Sequence, residues 1–332
     1  MVGRHGGSTG EERSRRVAAI DCGTNSIRLL VADLLPDGDD VRLVDVHREM
    51  RVVRLGEGVD ATGRLSGASI DRTWSALADY SAILRVLDAV QVRMVATSAT
   101  RDAANRQDFV DMVRSTLGQE PEVITGGEEA ELSFRGAVAD LAPKTGPFLV
   151  TDIGGGSTEM VVGAVVAGRI EIAGRVSLDI GCVRITERLL HGDPPTGTQR
   201  REATEWIRTA LDSGLDKLPV RSVRRLIPVS GTATTVAAAA LRLPTYDPER
   251  IHLSRIRSAR VHEVAELLLG ATRAHRAALP YMHPGRVDVI GAGALILSIL
   301  VRLVSRRMGP AWADEITVSE HDILDGLALS MA

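Results

Sequence analysis

The sequence predicts an α/β protein built from two related lobes. Short apolar segments alternate with amphipathic helical segments along the 332 residues, which is the pattern of α/β folds. A strand, a tight turn and a returning strand are predicted twice, at residues 17–31 and 148–162, with an aspartate, a glycine and a serine repeated at a constant offset of 131 residues. The paired residues are Asp21 and Asp152, Gly23 and Gly154, and Ser26 and Ser157. Such self-similarity indicates a duplicated structural unit.

Composition excludes several classes of protein. The formal net charge of −3 provides no basic field of the kind that nucleic-acid binders need, so we expect no nucleic-acid partner. Lys144 and Lys217 are the only lysines, and no G-x-x-x-x-G-K-[ST] motif occurs, which excludes a P-loop. The only cysteines, Cys22 and Cys182, lie far apart, which excludes a zinc ribbon or a disulfide scaffold and fits a reducing cytoplasm.

Two segments bear on cellular location. Residues 1–15 are rich in Gly, Ser and Arg and have no apolar stretch, so we expect a disordered tail and no signal peptide. The longest apolar run, residues 290–300, contains two glycines and is too short to span a bilayer. We therefore expect a cytoplasmic protein without a membrane partner.

The two glycine-containing turns are candidate phosphate-binding loops. Glycine lets the backbone turn sharply and approach a ligand, and successive free N–H groups in such a turn attract an anion. An ordinary Gly-rich hairpin explains either turn alone equally well, but two facing turns would enclose a polyphosphate from both sides. The candidate residues are Gly23, Thr24, Asn25 and Ser26 in the first turn and Gly154, Gly155, Gly156 and Ser157 in the second.

Acidic side chains beside these turns are candidate ligands of a divalent cation. Asp21 and Asp152 end the first strand of each hairpin, where both would converge on one metal ion. The two copies differ at the next matched position, because Arg28 stands where the second copy has Glu159. An acid beside Asp152 favours a cation site, whereas Arg28 would serve the substrate or bridge the lobes. We expect Asp21, Asp152 and Glu159 to hold Mg²⁺, or Mn²⁺ in its place.

The paired D-x-G-x-x-S hairpins resemble the phosphate loops of the acetate kinase, sugar kinase, Hsp70 and actin superfamily. The fuller wording, Asp-Cys-Gly-Thr-Asn-Ser-Ile-Arg at 21–28 and Asp-Ile-Gly-Gly-Gly-Ser-Thr-Glu at 152–159, is similar to that of the exopolyphosphatase and guanosine pentaphosphate phosphohydrolase (Ppx/GppA) family. The resemblance runs from about residue 17 to the C-terminus. It implies two ribonuclease H-like lobes of the actin-like ATPase type, with the substrate and the cation in the interdomain cleft.

Apolar periodicity predicts the remaining elements of the first lobe. One helix is expected to bury its aromatic side chains in the core, and a buried strand precedes each of the later helices. The predicted strands are 41–54, 92–97 and 122–125, and the predicted helices are 67–89, about 109–117 and 126–141.

Two arginines of this lobe are candidate substrate contacts. Arg54 opens an R-L-G-E-G turn, which in the family follows a strand at the cleft, and a solvated strand face is an equal alternative. Arg101 lies just past the end of a buried strand, where α/β sheets bind ligands, and the family has an arginine in the matching T-x-x-x-R-x-A context. We expect Arg101 to neutralise charge on the transferred phosphoryl group, with an interdomain salt bridge as the alternative.

Glu128 and Glu129 follow two glycines at the start of a predicted helix. Acidic residues in a first helical turn are favoured by the helix dipole, so one of the two needs no further function. A carboxylate within hydrogen-bond reach of water can orient it and accept its proton. The residues alone do not say which glutamate does this. The G-x-E-E-A pattern of the family implies that Glu129 is the catalytic base.

A Pro- and Gly-containing segment at 143–147 is predicted to separate the lobes. We expect residues 16–142 to form the N-terminal lobe, 143–317 the C-terminal lobe, and a helix at about 318–332 to return to the first lobe. The further predicted strands lie at about 160–178, 226–229 and 315–318, and the further predicted helices end at 191 or span 199–216, 259–279 and 323–331, with a buried helix from 290.

Ser230, Gly231 and Thr232 stand between a predicted strand and an Ala-rich helix. Free N–H groups at a helix start could hold another anion. In the superfamily this turn faces the nucleotide or the distal phosphate. Capping of the helix by Ser230 explains the same residues equally well.

The resemblance implies an exopolyphosphatase, which hydrolyses the terminal phosphoanhydride of inorganic polyphosphate with Mg²⁺ and releases orthophosphate. The chain resembles the short form of the family, without C-terminal helical domains, from which we expect a preference for short chains. Hydrolysis of guanosine pentaphosphate (pppGpp) and non-catalytic sensing of (p)ppGpp or polyphosphate are the alternatives. A kinase of the same superfamily fits less well because it has no counterpart of G-G-E-E-A. The sequence leaves the oligomeric state open, a homodimer included.

Overall fold

The computed structural model describes residues 14–38, 40–141, 146–308 and 312–332. The predicted N-terminal tail lies outside the described residues up to residue 13, and so does most of the predicted lobe boundary, at 142–145. Within the described ranges, no helix is both long and apolar enough to cross a membrane.

The first sheet has five strands in the order β3-β2-β1-β4-β5. The strands are β1 (Arg15–Cys22), β2 (Ser26–Asp37), β3 (Asp40–Val52), β4 (Gln91–Ala96) and β5 (Glu122–Val123). The first three strands pair antiparallel, and β4 and β5 continue parallel to β1. The four central residues of β1, Val17 to Ile20, are fully buried, as expected of a strand covered on both faces.

The second sheet repeats this plan in the order β10-β11-β9-β6-β7-β8. Its strands are β6 (Phe148–Ile153), β7 (Thr158–Val166), β8 (Arg169–Leu178), β9 (Arg225–Val229), β10 (Ser254–Arg257) and β11 (Glu315–Val318). Strands β6, β7 and β8 pair antiparallel, β9 and β11 continue parallel to β6, and β10 adds an antiparallel edge. The shared strand order confirms the predicted two-lobed α/β fold.

Thirteen α-helices occur in the described residues. They are α1 (Val59–Thr62), α2 (Gly67–Val86), α3 (Ser98–Asp102), α4 (Arg106–Leu117), α5 (Gly126–Val138), α6 (Cys182–Leu189), α7 (Gly197–Leu215), α8 (Ser230–Ala240), α9 (Pro248–Ile251), α10 (Ser258–Gly270), α11 (Arg273–Ala277), α12 (Ile290–Met308) and α13 (Ile323–Leu329). The helix predicted at 259–279 is two helices, because Thr272 caps a new one through the amide of His275.

One prediction about α2 was wrong. Tyr80 is fully buried, but the side chain of Trp74 is 53% exposed. The face of α2 that meets the sheet carries Ser69 and Thr73, and the hydroxyl of Thr73 donates to the carbonyl of Ser69. Small side chains on this face allow close packing, and the larger indole lies outside.

Each sheet is covered on one face by a helix from the other half of the chain. Helix α13 packs on the first sheet, where Leu324 and Leu327 join Leu30 in one apolar cluster. Helix α5 packs on the second sheet, where Phe134 contacts a cluster that includes Val150. Each half of the chain therefore supplies a helix to the sheet of the other half. The lobe limits 16–142 and 143–317 stay a prediction.

Helices α5 and α13 cross in direct backbone contact. A Cβ atom on Gly136 would overlap the carbonyl oxygen of Asp322, and a Cβ on Gly326 would overlap the carbonyl oxygen of Leu132. Only glycine fits at both positions. The crossing places Asp322, the N-cap residue of α13, against the last turn of α5.

Candidate active site

The two predicted phosphate loops have the same backbone structure. The amide of Gly23 donates to the carbonyl of Ser26 at 2.9 Å, and the amide of Gly154 donates to the carbonyl of Ser157 at 3.0 Å. Asp21 pairs with Arg28 across the first hairpin, as Asp152 pairs with Glu159 across the second. The amides of Gly23 and Gly154 are therefore used inside the turns. The amides of Thr24, Asn25, Gly155 and Gly156 have no backbone acceptor among the described residues.

The two turns contact each other. Thr24 lies against Gly155 and Gly156, and a Cβ on Gly155 would come within 2.8 Å of the Thr24 Cβ. The hydroxyl of Thr24 lies 2.9 Å from that of Ser98. The glycines of the second turn are thus required by the close approach of the first turn, which closes the cleft at this point.

A cavity of about 100 Å³ lies behind the paired turns. It brings together residues predicted from both halves of the sequence. The predicted residues that line it are Asp21, Gly23, Asn25, Ser26, Arg28, Glu129, Asp152, Gly154, Ser230, Gly231 and Thr232. The predicted residues outside its lining are Thr24, Arg54, Arg101, Gly155, Gly156, Ser157 and Glu159.

The two adjacent glutamates of α5 have different surroundings. Glu128 forms a capping box with Thr125: its carboxylate accepts from the Thr125 amide and hydroxyl, both at 2.8 Å. Glu129 points into the cavity and is buried. Burial and the neighbouring charge of Glu159 raise the pKa of Glu129 well above its usual range, although Arg101 opposes the shift. Geometry therefore makes Glu129 the candidate base.

Arg28 neutralises two buried carboxylates. Its guanidinium donates to Asp21 Oδ2 at 2.7 and 3.0 Å and forms an ion pair with Asp322. The second oxygen of Asp21, Oδ1, is buried without a hydrogen-bond partner among the described residues. Burial raises the pKa of Asp21 in spite of Arg28. One buried oxygen thus remains available for a cation or a water molecule.

Asp152 and Glu159 lie side by side on β6 and β7. The hydroxyl of Ser133 donates to Asp152 Oδ2 at 3.0 Å, and that of Ser177 donates to Glu159 Oε1 at 2.7 Å. Burial, together with the charge of Asp322, raises the pKa of Asp152 to about 6. Burial, together with the charge of Asp152, raises the pKa of Glu159 to about 8. A nearby cation would favour the ionised form of these buried carboxylates.

The predicted cation ligands are not preassembled. In the described residues, Asp21, Asp152 and Glu159 do not place three ligand atoms within 4.8 Å of one another. Arg28 binds the carboxylate of Asp21, and Ser177 binds that of Glu159. The chemistry nevertheless fits a hard divalent cation, since all the donors are carboxylate oxygens and Asp21 Oδ1 is unpartnered.

Both predicted phosphate-contacting arginines are engaged in ion pairs. Arg54 lies 2.6 Å from Asp288, outside the cavity lining. Arg101 donates to Glu129 at 3.2 Å and to the carbonyl of Ile124 at 3.0 Å. Arg101 and Glu129 both belong to the predicted lobe 16–142, so this contact is not the interdomain salt bridge considered as the alternative, and the role of Arg101 stays a prediction.

Ser230 does not cap α8. It is the first residue of the helix, with φ of 65°, and its hydroxyl donates to Asp322 at 3.2 Å. The capping alternative is therefore wrong.

Sequence reasoning missed Asp322 and Arg286. Asp322 holds Arg28 and Ser230, and the capping box that it forms with Asp325 before an apolar run was a readable signal. Arg286 lines the cavity, and its guanidinium fills the space beside Gly231 that a Cβ would take. No carboxylate of the described residues forms an ion pair with it. No local pattern marks Arg286.

A larger cavity of about 660 Å³ adjoins the first. The two share Arg28, Ser230, Gly231 and Arg286. Tyr246 and Tyr281 add aromatic surface to the larger cavity. Its volume lies in the range of small-molecule sites.

Two curated proteins are similar to this chain in sequence. Exopolyphosphatase 2 of Mycobacterium tuberculosis strain H37Rv is 52% identical over 322 residues, which cover 96% of this chain and 98% of that protein. Guanosine-5'-triphosphate,3'-diphosphate pyrophosphatase of Vibrio atlanticus is 34% identical over 199 residues, or 60% of this chain and 38% of that protein.

A solved structure and a family model also match this chain. The crystal structure of an exopolyphosphatase-like protein has a TM-score of 0.90 at 39% identity and covers 96% of this chain and 98% of its own. Residues 36–330 match the Ppx/GppA phosphatase family. The protein is a member of the Ppx/GppA phosphatase family.

Proposed function

We propose that the protein is an exopolyphosphatase, which hydrolyses the terminal phosphoanhydride of inorganic polyphosphate and releases orthophosphate. The observation that carries the proposal is the position of Glu129, a buried carboxylate that faces a cavity between two phosphate-loop hairpins. The 52% identity to a protein named Exopolyphosphatase 2 supports the choice of substrate.

Glu129 would orient the attacking water and accept its proton. A base is most effective when its pKa lies near the working pH, and the raised pKa of Glu129 brings the group toward that range. Arg101 opposes the rise in the pKa of Glu129 through their 3.2 Å contact. Arg101 would therefore act on the base, and through the same guanidinium on the transferred phosphoryl group.

Family members generally depend on a divalent metal, and we propose Mg²⁺, with Mn²⁺ as a substitute. Asp21, Asp152 and Glu159 would hold it. When bound, the cation neutralises charge on the phosphoryl oxygens and lowers the pKa values of these carboxylates.

The substrate phosphates would meet two kinds of donor. Backbone amides of the two turns provide neutral N–H groups, of which Asn25 faces the cavity. Arg286 provides a guanidinium that has no carboxylate partner among the described side chains, unlike Arg28, which is already neutralised by Asp21 and Asp322. We propose Arg286 as the main cationic contact of the substrate.

The test is phosphate release from polyphosphate of defined lengths, with and without Mg²⁺, for the wild type, Glu129→Gln and Glu128→Gln. Loss of a general base costs about 100-fold or more in rate, so we expect this loss in Glu129→Gln. Glu128→Gln is the matched control, because glutamine preserves the capping box and Glu128 lies outside the cavity. Equal activity of the two variants would contradict the role of Glu129.

Hydrolysis of pppGpp is the second candidate, favoured by the larger adjoining cavity. Its volume of about 660 Å³ and its two tyrosines would suit a nucleoside attached to the reacting phosphates. Including pppGpp in the same assay ranks the two substrates by kcat/KM.

The remaining outcomes of that assay are also informative. Release that rises steadily with polymer length into the hundreds of residues would contradict the predicted preference for short chains. Tight binding of polyphosphate or pppGpp without any release would contradict the hydrolase and favour the sensor.

A further inference from the structure

We propose that Asp140, His252 and His321 form a second metal site, which binds Zn²⁺ or a similar transition-metal ion. This site is separate from the carboxylate cluster of the cleft and does not depend on the proposed reaction. Its three ligands come from distant parts of the chain: the segment after α5, the segment after α9, and the residue before the N-cap of α13.

The three side chains already converge. Asp140 Oδ2 lies 3.3 Å from His252 Nε2 and 2.7 Å from His321 Nδ1, and the three ligand atoms all lie within 4.8 Å of one another. No other trio of His, Cys, Asp or Glu in the described residues meets this distance. Zinc ligands at about 2.0–2.1 Å in a tetrahedron lie about 3.3 Å apart. The pair with His252 has this spacing, and the pair with His321 would lengthen by about 0.6 Å.

A buried carboxylate lies on the side of the His321 ring that faces away from Asp140. The other ring nitrogen of His321, Nε2, lies 3.9 Å from Asp325 Oδ1, and the buried Asp325 forms an ion pair with Arg48 at 2.5 Å. A carboxylate behind a histidine orients the ring and makes the coordinating nitrogen more basic.

Binding moves protons in a defined way. His252 Nδ1 accepts from the Glu320 amide at 3.3 Å, so the proton of the neutral ring lies on Nε2, toward Asp140. Metal binding at Nε2 would transfer this proton to Nδ1, and the Glu320 amide would lose its acceptor. The neutral ring of His321 would move the proton that it now donates to Asp140 from Nδ1 to Nε2, which faces Asp325. Since a metal ion competes with protons for its ligands, affinity is expected to fall as the pH is lowered.

The ligand types determine which ion the site prefers. Two imidazoles and one carboxylate suit Zn²⁺, Co²⁺ or Ni²⁺, whereas carboxylates alone suit Mg²⁺. Asp140 is half exposed, with 49% of its side chain accessible, so the ion can enter from solvent and keep water at a fourth position. The two metal sites would thus be selective for different ions.

Bound metal would also brace the cleft. His321 precedes Asp322, which pairs with Arg28, and a metal ion would tie this position to Asp140 and His252. A ligand that binds the folded protein alone stabilises it. We therefore expect Zn²⁺ to raise the melting temperature.

The test uses the full chain, stripped with chelator and returned to excess Mg²⁺ to saturate the carboxylate site. Zn²⁺ binding is measured by calorimetry, and Co²⁺ binding by its visible absorption. The variants are Asp140→Asn and His252→Asn, with His275→Asn as the matched control, since His275 is an exposed histidine on α11. Circular dichroism without metal establishes that each variant is folded.

We expect one Zn²⁺ per chain in the wild type and in His275→Asn, with a rise in melting temperature. Loss of one ligand should weaken binding at least about 10-fold, the lower limit for loss of a second-shell partner, and remove the thermal shift. The proposal would be overturned if the wild type did not bind Zn²⁺. It would also be overturned if folded Asp140→Asn and His252→Asn bound Zn²⁺ as tightly as the wild type. Either result leaves the hydrolase test with Glu129→Gln unaffected.

Discussion

At the scale of single residues, Glu128 and Glu129 show how position on a helix decides the role of a side chain. Both are glutamates of the first turn of α5. Glu128 faces back to Thr125 and caps the helix, whereas Glu129, about 100° further round, enters the cavity. The Thr125-x-x-Glu128 spacing is a readable capping box. This spacing accounts for Glu128 as a helix cap, whereas the role of Glu129 depends on the cavity that it faces.

The titration of Glu159 predicts a pH-dependent stability of the metal-free protein. Its pKa of about 8 exceeds the value of 4.5 expected when unfolded, so the folded protein binds more protons between these values. Stability then falls as pH rises through this interval. We expect the melting temperature to fall from about pH 5 to about pH 8, and to fall less in Glu159→Gln because the ionisable group is gone.

This measurement needs chelator throughout, since a bound cation favours the ionised carboxylates. Neighbouring groups that also titrate or carry charge are Asp152, Glu129 and Arg101, so some slope will remain in the variant. Glu171→Gln, at an exposed position on β8, is the control. Parallel pH curves for Glu159→Gln and the wild type would contradict the raised pKa.

Arg286 gives the second prediction at this scale. A hydrogen bond to a charged group is worth about 1.5–3 kcal/mol, so we expect Arg286→Gln to raise KM for polyphosphate by about 10-fold or more, with a smaller change in kcat. Steady-state kinetics with Arg302→Gln, an exposed site on α12, as control would test this. An unchanged KM would assign substrate binding to the backbone turns.

At the scale of elements, the crossing of α5 and α13 links helix packing to the site. Gly136 on α5 contacts the backbone of Asp322 at the start of α13, and Asp322 in turn pairs with Arg28 in the cavity. Any added atom at this contact must displace the N-cap. Packing and charge at the site are therefore coupled through one glycine.

The prediction is that Gly136→Ala destabilises the protein and lowers its activity. Overpacking a tight contact costs about 1–3 kcal/mol, and displacement of Asp322 would loosen Arg28. Gly67→Ala on α2 is the matched control, because no atom lies within 4 Å of the Cβ position there. Urea unfolding and phosphate release compare the two. Wild-type behaviour of Gly136→Ala would mean that the helices separate at little cost.

The sequence predicts where helices and strands lie better than it predicts which other elements they pack against. The strands at 226–229 and 315–318 were predicted within one residue of β9 and β11, because buried runs between polar turns are local signals. The packing of α5 on the second sheet was not predicted, since an amphipathic pattern shows that a face is buried without naming what covers it. The exposed Trp74 illustrates the same limit.

At the scale of the whole molecule, arginines join the two halves of the chain. Arg184 on α6 pairs with Asp60 on α1 and lies 2.9 Å from Asp102 on α3. Arg188 pairs with the same Asp60. Two positive groups lower the pKa of Asp60 even though burial opposes the shift. These contacts lie beside the paired phosphate turns, since Arg184 also donates to the carbonyl of Gly156 at 2.9 Å.

Asp60→Asn should therefore weaken closure of the cleft. The change removes the charge shared by two guanidinium groups and costs on the order of 1–3 kcal/mol, the value of hydrogen bonds to charged groups. We expect faster amide hydrogen exchange in α1 and α6, with little change in the buried strands β1 and β6, because only the contact between the lobes is loosened. Asp71→Asn on the exposed side of α2 is the control. If exchange in α1 and α6 stays at the wild-type rate, these ion pairs do not hold the lobes together, and closure depends on the contact of Thr24 with Gly155 and Gly156 instead.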